Sequence, residues 1–241
     1  MKIKKAVVLC AGYGKRLNPI TLSIPKPLIK INNKTLLEKT IRVLEKYGIE
    51  EIVINTYYLS EKIDSFLKNN KFNLRISIKR EKEKILKTGG GVMNAAAPFK
   101  NEPYFILNPD TIWNDDYLKD FQLMEKKFYE QKCKHVLLLV NKKNSFDKNF
   151  NGDFNIKDFK ISKFDNKEKN YIFIGAQITS NLIFKNIKKI EPFSINEIWN
   201  DLIKNQELFG VVSEKSFYHL TNLDVYNSLK DIELKICGTK S

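Results

Sequence analysis

The apolar positions of this chain change period several times along its length. Residues 6–10 form a continuous apolar run, the pattern of a strand buried on both faces. Leu37, Ile41, Leu44 and Tyr47 then recur at helical spacing. Thr35-Leu36-Leu37-Glu38 ahead of them matches a capping box, and Gly48 stands where a C-cap belongs. Further on, the pattern predicts strands over 51–55, 74–78, 104–107 and 136–140, and helices over 60–67, 89–97 and 117–128. The second half is less regular. Residues 154–161 read as a hairpin arm, 171–175 and 209–213 as strands, and 223–229 as a terminal helix. Ser194-Ile195-Asn196-Glu197 is a second capping-box candidate ahead of Ile198, Leu202 and Ile203.

Alternation of strand and helix through the first half predicts an α/β fold: an open, mostly parallel mixed sheet flanked by helices. In such a sheet ligands bind beyond the carboxyl ends of the strands. Glycines and polar residues that follow strands are therefore the candidate site. With 241 residues, 42% of them hydrophobic, the chain suits one domain spanning 1–241. The Lys/Asn-rich stretch 141–151 reads as a surface loop inside it.

Composition narrows the class. No segment approaches the roughly 20 apolar residues that span a bilayer, so no membrane partner is expected. The short apolar run after Met1-Lys2-Ile3-Lys4-Lys5 meets a glycine turn too early for a signal peptide. Cys10, Cys133 and Cys237 are odd in number and widely spaced, unlike a disulfide framework or a zinc site. A cytoplasmic location is the default expectation. The net charge of +14 suits a polyanionic small substrate as well as nucleic acid. The lysines are scattered, however, and nucleic acid is not the expected partner.

Chemistry concentrates after the first strand. In Cys10-Ala11-Gly12-Tyr13-Gly14-Lys15-Arg16-Leu17, small residues let the backbone approach a phosphate, and exposed N–H groups can form an anion nest. Arg16 adds a forked donor. The loop is neither G-x-G-x-x-G nor a Walker A loop, and alone it is equally a plain tight turn. Ten residues on, Pro25-Lys26-Pro27 restricts the backbone around one lysine. This suits a fixed positive charge, though by itself it also reads as a surface turn.

Together, Cys10 to Thr21 and Pro25-Lys26-Pro27-Leu28 resemble the signature of sugar-1-phosphate nucleotidyltransferases. Within that family they are most similar to the short bacterial mannose-1-phosphate guanylyltransferases and N-acetylmuramate-1-phosphate uridylyltransferases. The resemblance runs over nearly the whole chain. It implies a Rossmann-like, GT-A-like nucleotidyltransferase fold, with residues 1–110 as the nucleotide-binding half and 111–241 as the sugar-binding half. It implies that the backbone of Ala11, Gly12 and Gly14 lies near the nucleotide. Arg16 would grip the triphosphate, and Lys26 would bridge phosphates of the two substrates. Cys10 stands where the family usually has alanine.

Thr88-Gly89-Gly90-Gly91 is a second glycine cluster, read from the sequence alone as either a flexible loop or room for something flat. The resemblance places Gly89 and Gly90 against the nucleobase. Lys87 replaces a glutamate often found there, and Glu81 is a candidate for lining the same pocket. A carboxylate at a strand end suits Mg²⁺, and Asp110 is the expected principal ligand. Asn108-Pro109-Asp110 replaces the family's usual Gly-Asp. The family's C-terminal Trp-x-Asp-Val/Ile-Gly-Thr segment aligns with Phe217 to Asn222, and His219 takes the place of the second aspartate. Imidazole is a poorer Mg²⁺ partner than carboxylate, so His219 is expected in the site either as ligand or beside it. Asp153 and Gly175 are implied on the sugar side, while Trp199 reads as core.

No nucleophile-plus-base constellation is evident, and direct in-line attack of a sugar phosphate on an NTP needs none. The expected partners are an NTP and a sugar 1-phosphate, acting on a monomer or homodimer. Two rivals stand beside this reading. One is a cytidylyltransferase for phosphocholine or a similar phosphate; the other is a non-catalytic nucleotidyltransferase-like subunit, favoured by His219.

Overall fold

The structure is a computed structural model describing residues 2–163 and 168–230; Cys237 lies outside the described residues. In chain order its elements are β1 (Lys5–Cys10), β2 (Lys30–Ile31), β3 (Lys34–Thr35), α1 (Leu36–Tyr47), β4 (Glu51–Thr56), α2 (Ser60–Asn69), β5 (Arg75–Arg80), α3 (Lys87–Ala96) and β6 (Tyr104–Leu107). Then come α4 (Leu118–Glu130), β7 (His135–Asn141), β8 (Asn155–Lys157), β9 (Lys160–Ser162), β10 (Tyr171–Thr179), α5 (Ile195–Lys204), β11 (Leu208–Ser213) and α6 (Leu223–Lys230).

Nine strands form one sheet in the order β5-β4-β1-β6-β10-β7-β11-β9-β8. The β5-β4-β1-β6 part is parallel throughout. Beyond it, β10 runs antiparallel to both β6 and β7, while β11 returns parallel to β7. The sheet is thus mixed, with its parallel character strongest where βαβ connections build it.

Side-chain alternation splits the core into two layers. Ala6 and Val8 of β1, Phe105 and Leu107 of β6, and Val136 and Leu138 of β7 face Leu37, Ile41, Phe121 and Met124 of α1 and α4. Val7, Ile106 and Leu137 face the other way, toward Val92, Trp199 and Leu202 of α3 and α5. A run without polar positions is what two-sided burial requires, since each buried side chain contributes roughly 1.5–3 kcal/mol.

The helix ends follow their local chemistry. Thr35 Oγ1 accepts from the Glu38 amide at 3.0 Å, and Gly48 closes α1 at φ 97°. Ser194 and Glu197 complete a reciprocal capping box at α5. Several boundaries move from the sequence reading. Residues 154–161 hold both arms of the β8–β9 hairpin, because Asp158 and Phe159 take left-handed turn geometry. The strand begun at 171 continues to Thr179 through an irregularity between Phe173 and Gln177. The helix expected from Gly89 begins at Lys87, itself at φ 57°. Stretch 141–151 is anchored rather than free: the Phe146 amide donates to the Phe217 carbonyl at 2.9 Å.

From β1 the chain steps outward to β4 and β5, then returns through α3 to β6 on the opposite side of β1. That reversal opens a crevice at the carboxyl ends of β1 and β6.

Candidate active site

A cavity of about 220 Å³ fills this crevice. The β1 end and its loop (Cys10, Ala11, Gly12, Gly14) form one wall, Lys26 and Pro27 a second, and Asn108 to Asp110 a third. Two close approaches shape the loop. Gly14 takes φ 66°, and a Cβ there would meet Thr21 Cγ2 at 3.0 Å and Lys26 Cβ at 3.1 Å. Gly12, by contrast, faces open space. The Thr21 hydroxyl holds the loop through the Gly14 carbonyl at 3.0 Å. Arg16 does not line the cavity: it is exposed, and its guanidinium makes no hydrogen bond or ion pair among the described residues.

Lys26, Asp110 and His219 come together. Lys26 Nζ donates to Asp110 Oδ2 at 2.5 Å, and His219 Nε2 lies 3.2 Å from the same oxygen. Pairing of Thr111 with His219, flanked by the bonds Leu220 N to Asp110 O and Ile112 N to Tyr218 O, fixes the two segments side by side. Burial pushes the Asp110 carboxyl up, but Lys26 and His219 outweigh it and hold the group well below the usual carboxylate range. Asp110 Oδ1 is buried without a hydrogen-bond partner. An orphaned, ionised oxygen at a cavity wall fits a cation. Among the described residues no cluster of three or more His, Cys, Asp or Glu could hold a metal. That is compatible with Mg²⁺, which takes one or two protein carboxylates plus phosphate and water oxygens.

The remaining expected residues support the site from behind. Glu81 is buried outside the cavity lining, with its carboxylate accepting from Asn55 Nδ2 at 2.8 Å and from the Leu86 amide at 2.6 Å. Asn55 Oδ1 in turn accepts from the Cys10 amide at 2.9 Å, so the Glu81–Asn55 pair ties the β1 end to the start of α3. Burial raises the Glu81 pKa, against those two hydrogen bonds. Gly89 and Gly90 make their close contacts with this chain's own residues 191–193. A Cβ on Gly89 would lie 2.2 Å from the Phe193 ring, and one on Gly90 would lie 2.2 Å from the Glu191 carbonyl. Both amides donate to the Phe193 carbonyl. Gly175, at φ 91°, lets the 108–111 turn pack closely: the Asn108 amide donates to its carbonyl at 2.8 Å. Asp153 is exposed and caps the Phe173 amide at 3.0 Å. Trp199 is core, donating from Nε1 to His135 Nε2 at 3.1 Å.

Asn55 and Ile85 also line the cavity without having been singled out from the sequence, and Lys87 and Asn108, noted there only as departures from the family pattern, line it as well. Asn55 carried a usable signal, a polar residue closing an apolar strand. Ile85 carried none, since only the turn into α3 brings it inward.

Residues 5–165 match the family described as nucleotidyl transferase. The chain belongs to that family. This nucleotidyl transferase is 32% identical over 215 residues to the D-glycero-alpha-D-manno-heptose 1-phosphate guanylyltransferase of Campylobacter jejuni, covering 88% of the present chain and 92% of that protein. It is 25% identical over 222 residues to the N-acetylmuramate alpha-1-phosphate uridylyltransferase of Caulobacter vibrioides, covering 90% and 91%. The crystal structure of HddC from Yersinia pseudotuberculosis complexed with GMP-PN superposes with a TM-score of 0.72 at 23% identity, covering 95% of this chain and 98% of that one. That likeness places the nucleotidyl transferase within the mixed α/β nucleotidyltransferase fold. No helix among the described residues is long and apolar enough to cross a membrane.

Proposed function

We propose that this nucleotidyl transferase is a sugar-1-phosphate guanylyltransferase. It moves GMP from GTP to a sugar 1-phosphate of the manno type, giving GDP-sugar and pyrophosphate. The observation that carries the transfer reading is the pairing of Lys26 and Asp110 at the cavity wall, with His219 against Asp110 and one Asp110 oxygen unpartnered. The guanine and manno assignments draw support from the Campylobacter relative, whose length the chain nearly matches. Residues 1–110 carry the nucleotide in this reading, and 111–241 carry the sugar phosphate.

A phosphate oxygen of the acceptor attacks the α-phosphorus of GTP in line, and the bond from that phosphorus to the bridging β-oxygen breaks. The chain's work is alignment and charge neutralisation. The backbone of Ala11, Gly12 and Gly14 faces the nucleotide, and the unpaired Arg16 guanidinium takes triphosphate oxygens. Lys26 leaves Asp110 to bridge phosphates of donor and acceptor. Asp110, with His219 beside it, is placed to hold a divalent cation, Mg²⁺ in the family pattern. Such an ion, when bound, polarises the phosphoryl oxygens and offsets their charge. On the sugar side, Asp153 and Gly175 order the edge of the acceptor site through the backbone they hold.

Pyrophosphate release tests the reading. All four NTPs are assayed against mannose 1-phosphate, D-glycero-α-D-manno-heptose 1-phosphate and N-acetylmuramate 1-phosphate. Turnover is expected with GTP and a manno acceptor. Turnover with UTP and the muramate acceptor alone would overturn the base and sugar assignment. Silence in every combination would overturn the transferase reading itself.

A further inference from the structure

Lys87 lines the cavity, and its ammonium makes no hydrogen bond or ion pair among the described residues. Its backbone takes φ 57°, a conformation that suits glycine and is costly for a residue with a Cβ. The neighbours hold it there from both sides. The Leu86 amide donates to Glu81 Oε2 at 2.6 Å. Thr88 Oγ1 accepts from the Ile195 amide at 3.0 Å, and the Gly89 amide donates to the Phe193 carbonyl at 2.9 Å. Glutamate, often found at this place in the family pattern, would accept hydrogen bonds, whereas lysine only donates them. A fixed stretch of backbone thus presents a free cationic donor to the crevice.

The sheet order fixes which end of a ligand this donor meets. Glu81 ties the Lys87 turn to the end of β4, since its Oε1 accepts from Asn55 Nδ2 at 2.8 Å. Lys26 and Asp110 meet beyond the end of β6. With β1 between β4 and β6, the two ends stand two strand spacings apart, roughly 10 Å. A nucleotide whose phosphates lie at Lys26 therefore extends its base toward Lys87, where Leu9 and Ile85 offer apolar contact to a ring. We infer that Lys87 selects the base: its ammonium donates to the O6 and N7 edge of guanine and disfavours a base with an amino group at that place. Guanine presents two acceptors on this edge, which suit a lysine donor, while adenine presents an amino donor beside N7. The inference rests on the proposed reading of the crevice as a GTP site.

Calorimetry of nucleotide binding to the full chain tests this with GTP and the triphosphate of 2,6-diaminopurine riboside. That analogue carries an amino group in place of O6 and lacks the N1 proton. The wild-type chain should bind GTP more tightly than the analogue by about tenfold or more. Lys87→Met keeps the length of the side chain and removes its charge, and Lys87→Gly suits the φ of 57°. Both should lose most of that ratio, through weaker binding of GTP. Lys87→Arg, a forked donor, should keep it. An unchanged ratio in Lys87→Met and Lys87→Gly would overturn the inference. So would equal weakening of both nucleotides, the signature of a contact to the triphosphate. Failure of the underlying reading looks different: the wild-type chain binds neither purine nucleotide, or releases pyrophosphate only with UTP, and the inference falls with it.

Discussion

Lys26 and Asp110, 84 positions apart in the sequence, form an ion pair of 2.5 Å at the wall of the crevice. Each neutralises the other in the unliganded chain. In the proposed reading, entering phosphates would give the lysine anionic oxygens and free the carboxylate of its partner. The pair would then keep two charges ready without leaving either unpaired beforehand.

Asp110→Asn removes the ionised oxygens and keeps the shape. Nucleotidyl transfer should fall by at least about 100-fold, since a bound divalent cation supplies several kcal/mol of transition-state stabilisation. Circular dichroism should be unchanged. Near-normal kcat in the folded variant would remove Asp110 from the chemistry.

Lys26→Ala should act mainly on the acceptor. A charge-assisted hydrogen bond contributes about 1.5–3 kcal/mol, so kcat/KM for the sugar phosphate should drop by roughly one to two orders of magnitude. Steady-state kinetics with GTP held saturating checks this. An effect confined to the KM for GTP would reassign the lysine to the nucleotide.

The glycine cluster makes a prediction about packing. Alanine at Gly90 gains roughly 1 kcal/mol of helix propensity. Its Cβ, however, would lie 2.2 Å from the backbone carbonyl of Glu191, which has to move. Overpacking of about 1–3 kcal/mol should win, giving a net loss in urea denaturation. Gly89→Ala meets only the outer edge of the half-buried Phe193 ring, which can swing, and should cost less. Equal costs would contradict this account.

Acid stability should report His135. Burial lowers its pKa from 6.5 to about 4, against the hydrogen bond to Gln177. Between those values the unfolded chain binds a proton that the folded chain refuses. Stability attributable to His135 is thus full above pH 6.5 and falls as pH drops toward 4, by about 3 kcal/mol in all. Urea denaturation at pH 6.5 and 4.5 should show a shallower loss in His135→Gln than in the wild type. Parallel slopes would disprove the assignment.

Much of this architecture is local and could be read from the chain. Two-sided burial leaves no polar positions in residues 6–10 of β1 or in β6, Gly48 terminates α1, and Pro25 and Pro27 stiffen the turn that presents Lys26. These features follow from side-chain period and backbone restriction, which act over a few residues. The site's supports were less legible. Glu81 and Asp153 are carboxylates near the expected positions, yet their hydrogen bonds go to the protein's own backbone and to Asn55. A sequence does not reveal whether a carboxylate points at a ligand or at a neighbouring amide.

The sequence by itself determined the α/β alternation, the glycine-rich loop at Gly12 and Gly14, and the kinds of charge available at Lys26 and Asp110. Only the tertiary structure decided which of these charges meet. Asp110 faces His219 because Thr111 pairs with His219 across a short antiparallel contact between segments more than a hundred residues apart. Residue type carries chemistry locally, whereas proximity is set by the register of strands. That register depends on burial summed over the whole sheet.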